Sequence, residues 1–198
     1  MRQFVVIGHD APTTADFSLD DLPGGACRLD VLCRCCNSAL VLSHGLREDV
    51  RIHLVCSDTF TVSFDGATLR RFNPDERSTA ALIRGALERR DEAIGAQAVE
   101  SSPGVTIRRR GVAGTVEAVA KTGTVVQLHE EGTPVVAVDP PADPVFVLSD
   151  HRDFEDEEAA LIDEVGTERV RVGPELLHAD HAITIAHNWL DTAGYERY

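Results

Sequence analysis

The chain has 198 residues, of which 43% are hydrophobic, and its 19 basic against 33 acidic residues give a net charge of −14. That length can bury one good core, and no apolar run reaches the roughly 18 residues that a membrane span needs. The acidity argues against sequence-independent binding to nucleic acid. It also fits adaptation to a salt-rich cytoplasm, where the Debye length is about 3 Å at 1 M salt and any affinity for a polyanion would depend on hydrogen bonds and short-range arginine contacts.

The N-terminus and the cysteines predict a soluble, cytoplasmic protein without disulfides. The apolar run Phe4–Ile7 is too short for a signal peptide, and Asp10 follows it closely. Five cysteines, an odd number, argue against a disulfide framework. Cys33 and Cys36 have the spacing of half a zinc site, but no second pair matches them, so no metal is expected.

The hydrophobic pattern predicts strands that alternate with helices. In the first half we expect a strand at Gln3–Ile7, a loop at Gly8–Gly25, a helix at Arg28–Leu42, a strand at Arg51–Cys56, a hairpin that pairs Thr59–Phe64 with Ala67–Arg71 across Asp65–Gly66, and a helix from Asn73 to about Arg90. In the second half we expect a polar break at Ala98–Pro103, a strand at Val105–Arg109, a helix at Val112–Ala120, strands at Thr124–Leu128 and Val145–Leu148 around a loop at Pro134–Asp143, a helix at Glu155–Val165, a strand at Arg169–Val172 and a helix at Leu176–Asp191. Residues 1–198 are therefore expected to form one α/β domain, with a mainly parallel sheet and helices on both faces.

Three strand ends are candidate ligand sites, because ligands of such sheets bind beyond the carboxyl ends of the strands. Polar residues follow the strands at His129–Gly132, Ser149–His151 and Gly173–Pro174. Taken alone, Gly173–Pro174 is more typical of a plain turn than of a cofactor loop. No G-x-G-x-x-G follows the first strand and no G-x-x-x-x-G-K-[ST] occurs, which excludes the usual dinucleotide and nucleoside-triphosphate motifs.

Charged residues form several further groups. Asp30 and Arg34 share a helix face, and Asn73–Ser78 marks a helix N-terminus whose N–H groups can hold a phosphate; a surface ion pair and a helix N-cap are the alternative interpretations. Arginine runs suit phosphate contacts, although each run is equally compatible with a solvated face. They are Arg70–Arg71, Arg89–Arg90 and Arg108–Arg110. These patterns alone indicate only a soluble α/β ligand-binding protein.

Five stretches of the chain resemble the archaeal tRNA pseudouridine-54 N1-methyltransferases, a branch of the SPOUT superfamily. They are MRQFVVIGHDAPTTADFSLDDLPGGACRLDVLCRCCNSAL, REDVRIHLV, LRRFNPDERSTAALIR, VFVLSDHRDF and VRVGPELLHADHAITIAHNWLD, in family order. The resemblance covers both ends of the chain and is weaker at about Ala93–Ala120. It implies a cytoplasmic enzyme that uses S-adenosylmethionine (SAM) to methylate N1 of a pseudouridine in the T-loop of tRNA.

The resemblance also implies a C-terminal deep trefoil knot that holds SAM, and a homodimer with the last helix at the interface. Trp189, Leu190 and Tyr195 are expected either at that interface or in the core of one subunit. Ser149 stands where the family pattern leads us to expect glycine, and Ala182 where cysteine is frequent. The residues that the resemblance places around SAM are Leu128, Leu148, Ser149, Arg171, Val172, Gly173, Pro174, Glu175, Leu176 and Ala182.

The chemistry that the resemblance implies needs no enzyme nucleophile. The protein must hold N1 in line with the methyl–sulfur bond, take up or share the N1 proton, and exclude water. Asp30, or as a second choice Asp75, is expected to accept or orient that proton. The residues expected to contact the RNA are Arg28, Arg34, Arg77 and Ser78.

Two alternatives stay open at this point. A pseudouridine N1-methyltransferase of small-subunit ribosomal RNA would share a helix motif that resembles Arg28–Val31. A knotted RNA-binding protein without catalytic activity would be favoured by the departures at Ser149 and Ala182.

Overall fold

One mixed sheet of eight strands organises the structure, a computed structural model that describes residues 1–166 and 168–198. The strands are β1 Arg2–Gly8, β2 Val41–Leu42, β3 Gly45–Leu46, β4 Val50–Cys56, β5 Phe60–Asp65, β6 Val99–Ser102, β7 Val105–Arg108, β8 Thr124–Pro134, β9 Pro144–Ser149 and β10 Glu168–Arg171, of which β2 and β3 form a separate hairpin. The helices are α1 Leu29–Leu40, α2 Glu76–Glu88, α3 Val112–Ala120, α4 Asp156–Val165 and α5 Ala179–Asp191. Short 3₁₀ helices lie at Arg90–Glu92 and Val135–Ala137.

The large sheet has the strand order β10-β8-β9-β1-β4-β5-β7-β6. The pairs from β10 to β4 are parallel, and the pairs from β4 to β6 are antiparallel. Helices α1, α2 and α5 pack on the face that carries Phe4 and Val6, and α3 and α4 on the face that carries Val5 and Ile7. Strand β1 is therefore buried from both sides, as its continuous apolar sequence requires. The expected mainly parallel α/β fold with helices on both faces is confirmed.

The predicted hairpin across Asp65–Gly66 is wrong. Strand β5 pairs with β4 and β7, while the N–H groups of Thr68 and Leu69 donate to the carbonyl of Asp65 and close a local turn. Tertiary packing decides which strands pair with β5. Phe64 is fully buried, and a strand inside the sheet needs hydrogen-bonding partners at both of its edges.

The predicted break at Ala98–Pro103 is also wrong, since it contains the edge strand β6, which pairs with β7. Its polar sequence reflects the solvent on its open side. Next to the edge strand β10, β8 continues past the predicted end at Leu128 as far as Pro134. Helix α1 ends at Leu40, two residues early, where the β2–β3 hairpin begins.

Side-chain burial decides between two interpretations of the last helix. Trp189 is fully buried in the core of the chain, whereas Leu190 and Tyr195 are partly buried against it. Trp189 is thus a core residue. Four of the cysteines are buried thiols and Cys27 is exposed, with no disulfide in the part of the chain that the structure describes.

Across residues 1–166 and 168–198, no helix combines the length and the apolar character that crossing a membrane requires. The same residues contain no group of three or more His, Cys, Asp or Glu side chains arranged to hold a metal ion. The trefoil knot stays a prediction.

Candidate functional site

A cavity of about 290 Å³ opens at the carboxyl ends of β8, β9 and β10. This is the edge at which ligands bind in open parallel sheets. Three loops and the first turn of α5 form its walls. The lining residues are Leu128, His129, Glu130, Leu148, Ser149, Asp150, His151, Arg152, Asp153, Phe154, Val170, Arg171, Val172, Gly173, Glu175, Leu176, Leu177, His178, Ala179 and Ala182.

The residues that the family resemblance places around the cofactor converge on this cavity. They come from four separate segments of the chain, and the fold brings them to one place. Pro174 is the exception, since it does not line the cavity although both of its neighbours do. Those that line it are Leu128, Leu148, Ser149, Arg171, Val172, Gly173, Glu175, Leu176 and Ala182.

The wall on the β8 side depends on a close approach between two strands. Strand β10 pairs with β8 as far as Gln127, and the pairing resumes at Thr133, so residues 128–132 bulge out of the ladder. A β-carbon built on Gly132 would lie 2.5 Å from the carbonyl carbon of Val170. Only glycine can occupy this position without moving the backbone of β10.

The two departures from the family pattern leave the cavity open. The hydroxyl of Ser149 donates to the backbone carbonyl of Arg152, so the side chain is held by its own loop. Ala182 lines the cavity with a methyl group and is 8% exposed. Neither residue places a bulky side chain in the cavity.

His9, at the turn after β1, joins the cavity wall to α4. Its ring Nδ1 lies 3.1 Å from Asp150 Oδ1, its Nε2 lies 3.0 Å from Glu158 Oε2, and its backbone N–H donates to Asp150 Oδ2 at 3.0 Å. Burial acts to lower the pKa of His9, but the hydrogen bonds with the two carboxylates outweigh it, and the pKa is raised above 6.5. A charged imidazole at this point holds the Asp150 loop against β1 and α4.

A second group of side chains, the Asp30 cluster, consists of Arg28, Asp30 and Arg34. Arg28 Nε donates to Asp30 Oδ1 at 3.0 Å, and Arg34 Nη1 donates to Asp30 Oδ2 at 2.7 Å. Asp30 is only 4% exposed. Its burial acts to raise its pKa, but the hydrogen bonds from both arginines lower it below 3.8, so the carboxylate stays ionised. Arg28 has a left-handed backbone (φ 62°), which a non-glycine residue adopts at a cost that functional sites often tolerate.

The Asp30 cluster and the cavity meet at the first turn of α5. Arg34 Nη1 donates to Glu76 Oε1 at 3.3 Å, and Arg34 Nε lies 3.7 Å from Asp180 Oδ2. Asp180 belongs to the same helical turn as Ala179 and Ala182, which line the cavity. Its other oxygen, Oδ1, is buried and has no hydrogen bond within the described part of the chain. The two groups are therefore neighbours.

The remaining predicted residues lie at the N-terminus of α2. Asp75 is its N-cap and accepts the N–H of Ser78 at 2.7 Å, which confirms the N-cap interpretation and lowers the pKa of Asp75. Arg77 is exposed and forms an ion pair with Asp20. Their neighbour Glu76 is the residue that contacts the Asp30 cluster. The structure thus places Arg77 and Ser78 beside that cluster and not within it.

The sequence analysis did not single out His9, Glu158 or Asp180. Asp150 directly follows strand β9, where a ligand site is expected. His9, however, is separated from Asp150 by 141 positions in the sequence and from Glu158 by 149. No local pattern can indicate such a contact.

Comparison with known proteins identifies relatives over the whole chain. A family model described as "Putative SAM-dependent RNA methyltransferase" matches residues 1–195. Proteins from Haloarcula marismortui and Haloferax volcanii, both named tRNA (pseudouridine(54)-N(1))-methyltransferase, are 69% identical over 198 residues, which is all of this chain and all of theirs. A protein of the same name from Methanosarcina acetivorans is 43% identical over 100% of this chain and 94% of its own.

A solved structure shares the fold. Archaeoglobus fulgidus Nep1 bound to S-adenosylhomocysteine superposes with a TM-score of 0.63 over 96% of this chain and 99% of that chain, at 12% identity. At this identity the likeness concerns the fold alone. Because the family model spans nearly the whole chain and full-length relatives far exceed 30% identity, the chain belongs to this family of SAM-dependent RNA methyltransferases.

Proposed function

We propose that this protein transfers the methyl group of SAM to N1 of pseudouridine 54 in tRNA. The observation that carries the proposal is the cavity at the ends of β8, β9 and β10, where nine residues expected to bind SAM converge. The substrate is supported by relatives named for this reaction, which are 43–69% identical and span almost the full length of the chain.

The chemistry of the cavity suits SAM. Leu128, Leu148 and Ala182 provide apolar surface of the kind that holds an adenine ring, and backbone groups of the loops can fix its orientation. Glu130 adds a carboxylate, which attracts a cationic ligand. When bound, SAM supplies an electrophilic methyl group on a positively charged sulfur.

We propose that the Asp30 cluster receives the target nucleotide next to this cavity. Asp30 is ionised and can accept the N1–H of pseudouridine as a hydrogen bond, which orients N1 towards the methyl group. Positioning of this kind can lower a barrier by roughly 7–11 kcal/mol, and proton removal by a base adds about 10²–10⁴-fold. Its lowered pKa makes Asp30 a weak base, so we assign it the orienting role first.

Arginines around the site are proposed to bind the RNA backbone. A guanidinium has five N–H donors. Asp30 accepts hydrogen bonds from only some of the donors of Arg28 and Arg34, and the others can contact phosphate. Arg77 and Ser78, at the exposed start of α2, extend the same surface. Asp75 is the weaker candidate for the N1 proton, because its carboxylate already caps α2.

Further proposals rest on the family resemblance. Residues 1–198 act as one domain with a C-terminal trefoil knot, in the cytoplasm and as a homodimer built on the last helix. Leu190 and Tyr195, which are partly buried, are the candidates for contacts between subunits. Trp189 is no longer one, because it is enclosed within its own subunit.

The test uses SAM and two tRNA transcripts, with uridine or pseudouridine at the T-loop position, in high salt, followed by nucleoside mass spectrometry. We expect N1-methylpseudouridine from the pseudouridine transcript and no methylated product from the uridine transcript. If neither transcript is methylated although the folded protein binds SAM, a ribosomal RNA hairpin with pseudouridine becomes the substrate to test. If the folded protein does not bind SAM, the non-catalytic alternative replaces this proposal.

A further inference from the structure

A second cavity, of about 280 Å³, lies on the α3 face of the sheet and shares no lining residue with the first. On this face, the apolar cluster under α3 and α4 contains strand residues from β1, β4, β8 and β9, and none from β5 or β7. Helix α3 meets β5 through a polar contact, between the hydroxyl groups of Thr115 and Thr61 at 2.6 Å, and not through apolar packing. The lining residues are Gln3, Arg51, His53, Thr61, Ser63, Asp65, Thr68, Glu100, Gly104, Thr106, Arg108, Arg110, Thr115, Ala118, Val119 and Thr122.

The strand register explains why this face is polar. His53 of β4 lies opposite Ser63 of β5, which lies opposite Thr106 of β7, and Thr61 lies opposite Arg108. Alternate residues of a strand point to the same face, so these side chains share one side of the sheet. The intervening residues enter the apolar core on the other side.

The floor of the cavity is a closed network of neutral hydrogen bonds. His53 Nδ1 lies 2.8 Å from the Ser63 hydroxyl, His53 Nε2 lies 3.2 Å from Gln3 Oε1, and Gln3 Nε2 donates to the Thr122 hydroxyl at 2.9 Å. Burial, together with the positive charges of nearby arginines, lowers the pKa of His53 to about 3. The imidazole is therefore uncharged, and the floor needs no further partner.

The rim, in contrast, carries positive charge that the protein does not balance. Arg51 pairs with Asp65. The guanidinium of Arg108 has one weak hydrogen bond, to Thr106 Oγ1 at 3.3 Å, and neither Arg108 nor Arg110 has an ion pair within residues 1–166 and 168–198. Burial and repulsion from Arg110 and Arg51 lower the pKa of Arg108. Half-buried arginines without an acidic partner are uncommon, since Arg normally leaves water only when it is paired.

The acidic residues of the cavity balance only part of this charge. Asp65 is paired with Arg51. Glu100 accepts the backbone N–H of Gly104 at 3.3 Å, a neutral donor that does not cancel its charge, so the lining carries three guanidinium groups against two carboxylates. Arg108 and Arg110 both line the cavity. The Thr61 hydroxyl already donates to the carbonyl of Arg110, whereas the Thr106 hydroxyl accepts from Arg108 and keeps its own proton for a ligand. Guanidinium groups with neighbouring hydroxyl donors are what a phosphate-class oxyanion requires.

We propose that this cavity binds one phosphate-class oxyanion between the guanidinium groups of Arg108 and Arg110. An occupant would offset the repulsion between the two arginines. In a chain of net charge −14, the long-range field repels anions, so capture depends on such short-range contacts. Free phosphate and a backbone phosphate of the RNA share this chemistry; the first source is independent of the proposed function, and the second rests on it.

The first experiment compares Arg108→Gln and Arg110→Gln with the control Arg109→Gln. The control removes the same charge from the adjacent position, but its guanidinium lies 4.9 Å from the centroid of the Phe60 ring and donates to the carbonyl of Ala93. Thermal unfolding is measured in potassium phosphate and in potassium chloride of equal ionic strength. Phosphate stabilises folded proteins in general by its exclusion from their surface, so some rise of Tm over the chloride value is expected in every variant. The site-specific part is the excess of this rise in the wild type and the control, which should be lost in Arg108→Gln and Arg110→Gln.

The second experiment measures tRNA affinity directly over a series of salt concentrations. If the anion is an RNA phosphate, Arg108→Gln should weaken tRNA binding by roughly tenfold and reduce the salt slope by about one, with free phosphate competing and SAM affinity unchanged. Loss of the excess Tm rise in Arg108→Gln without any effect on tRNA supports the free anion as the occupant. The proposal is overturned if neither effect appears, or if Arg109→Gln behaves like Arg108→Gln, which would indicate a general effect of charge. Failure of the wild type to methylate tRNA would leave the Tm experiment valid, so the two proposals fail separately.

Discussion

His9 and Asp150 are joined by two hydrogen bonds, one from the backbone N–H of His9 to Oδ2 at 3.0 Å and one between ring Nδ1 and Oδ1 at 3.1 Å. The other ring nitrogen lies 3.0 Å from Glu158. Because both ring nitrogens face carboxylates, both act as donors only when the imidazole is charged. Asp150 also lines the cavity proposed to bind SAM, so we expect the protonation of His9 to affect the position of the Asp150 loop in that cavity.

Stability and SAM affinity are therefore expected to fall as the pH rises through the folded-state pKa of His9. That pKa is raised above 6.5, so the stabilisation is fully present below about 6.5 and is lost above the folded-state value. Unfolding and SAM calorimetry from about pH 6 to about pH 9 measure both. His9→Gln should flatten the profile and cost about 1–3 kcal/mol at the acidic end. A profile that is unchanged in His9→Gln would assign the pH dependence to other groups.

Asp30→Asn is expected to lower the methylation rate by at least tenfold while leaving SAM binding intact. The neutral amide holds Arg28 and Arg34 less strongly and is a poorer acceptor for the N1–H group. Single-turnover rates with saturating tRNA measure the effect. A rate within about threefold of the wild type would exclude a role for Asp30 as base or orienting acceptor.

Asp75→Ser tests which of the two candidate carboxylates, Asp30 or Asp75, accepts or orients the N1 proton. Serine is a good N-cap, so α2 should persist while the carboxylate is removed, and the rate should stay within about twofold of the wild type. Asp75→Ala, which loses the cap, should destabilise the protein by about 1 kcal/mol. If Asp75→Ser is as slow as Asp30→Asn, Asp75 and not Asp30 handles the N1 proton.

Gly132→Ala is expected to destabilise the protein by about 1–3 kcal/mol and to weaken SAM binding, because the new β-carbon would push β10 away from β8. Gly173→Ala, at a residue that lines the cavity, is the control for stability. The nearest atom to a β-carbon there is Leu177 Cδ1 at 3.7 Å, so its stability should stay within about 0.5 kcal/mol of the wild type. Denaturant unfolding of both variants measures the loss of stability, and calorimetry measures SAM binding. An equal loss of stability in the two variants would contradict the argument from the close approach of Gly132 to β10.

Arg77→Ala is expected to weaken tRNA binding severalfold without affecting a neutral pseudouridine nucleoside, since the proposed contact is with phosphate. Asp20→Asn is a useful companion, because it releases Arg77 from its ion pair and should leave or improve tRNA affinity. Equal weakening of tRNA and nucleoside by Arg77→Ala would exclude the phosphate role.

Much of the fold follows from local pattern. The helix predicted at Val112–Ala120 occurs with those bounds, and the strand predicted at Arg51–Cys56 is extended by one residue. The hairpin across Asp65–Gly66 failed because strand pairing is not a local property. The second partner of β5 is β7, which lies about forty positions further along the chain. This pairing places β5 inside the sheet, where Phe64 is fully buried.

By itself the sequence determined most of the element types, the family, and nine of the residues that line the cavity at the ends of β8, β9 and β10, because periodicity and family motifs are carried by contiguous residues. Tertiary structure alone decided which side chains meet. The contact of His9 with Asp150 and Glu158, the close approach of Gly132 to Val170, and the cavity that encloses Arg108 and Arg110 arise where the sheet brings distant segments together. Hydrogen bonds and charge balance act over a few ångströms in space, and separation along the chain carries no information about them.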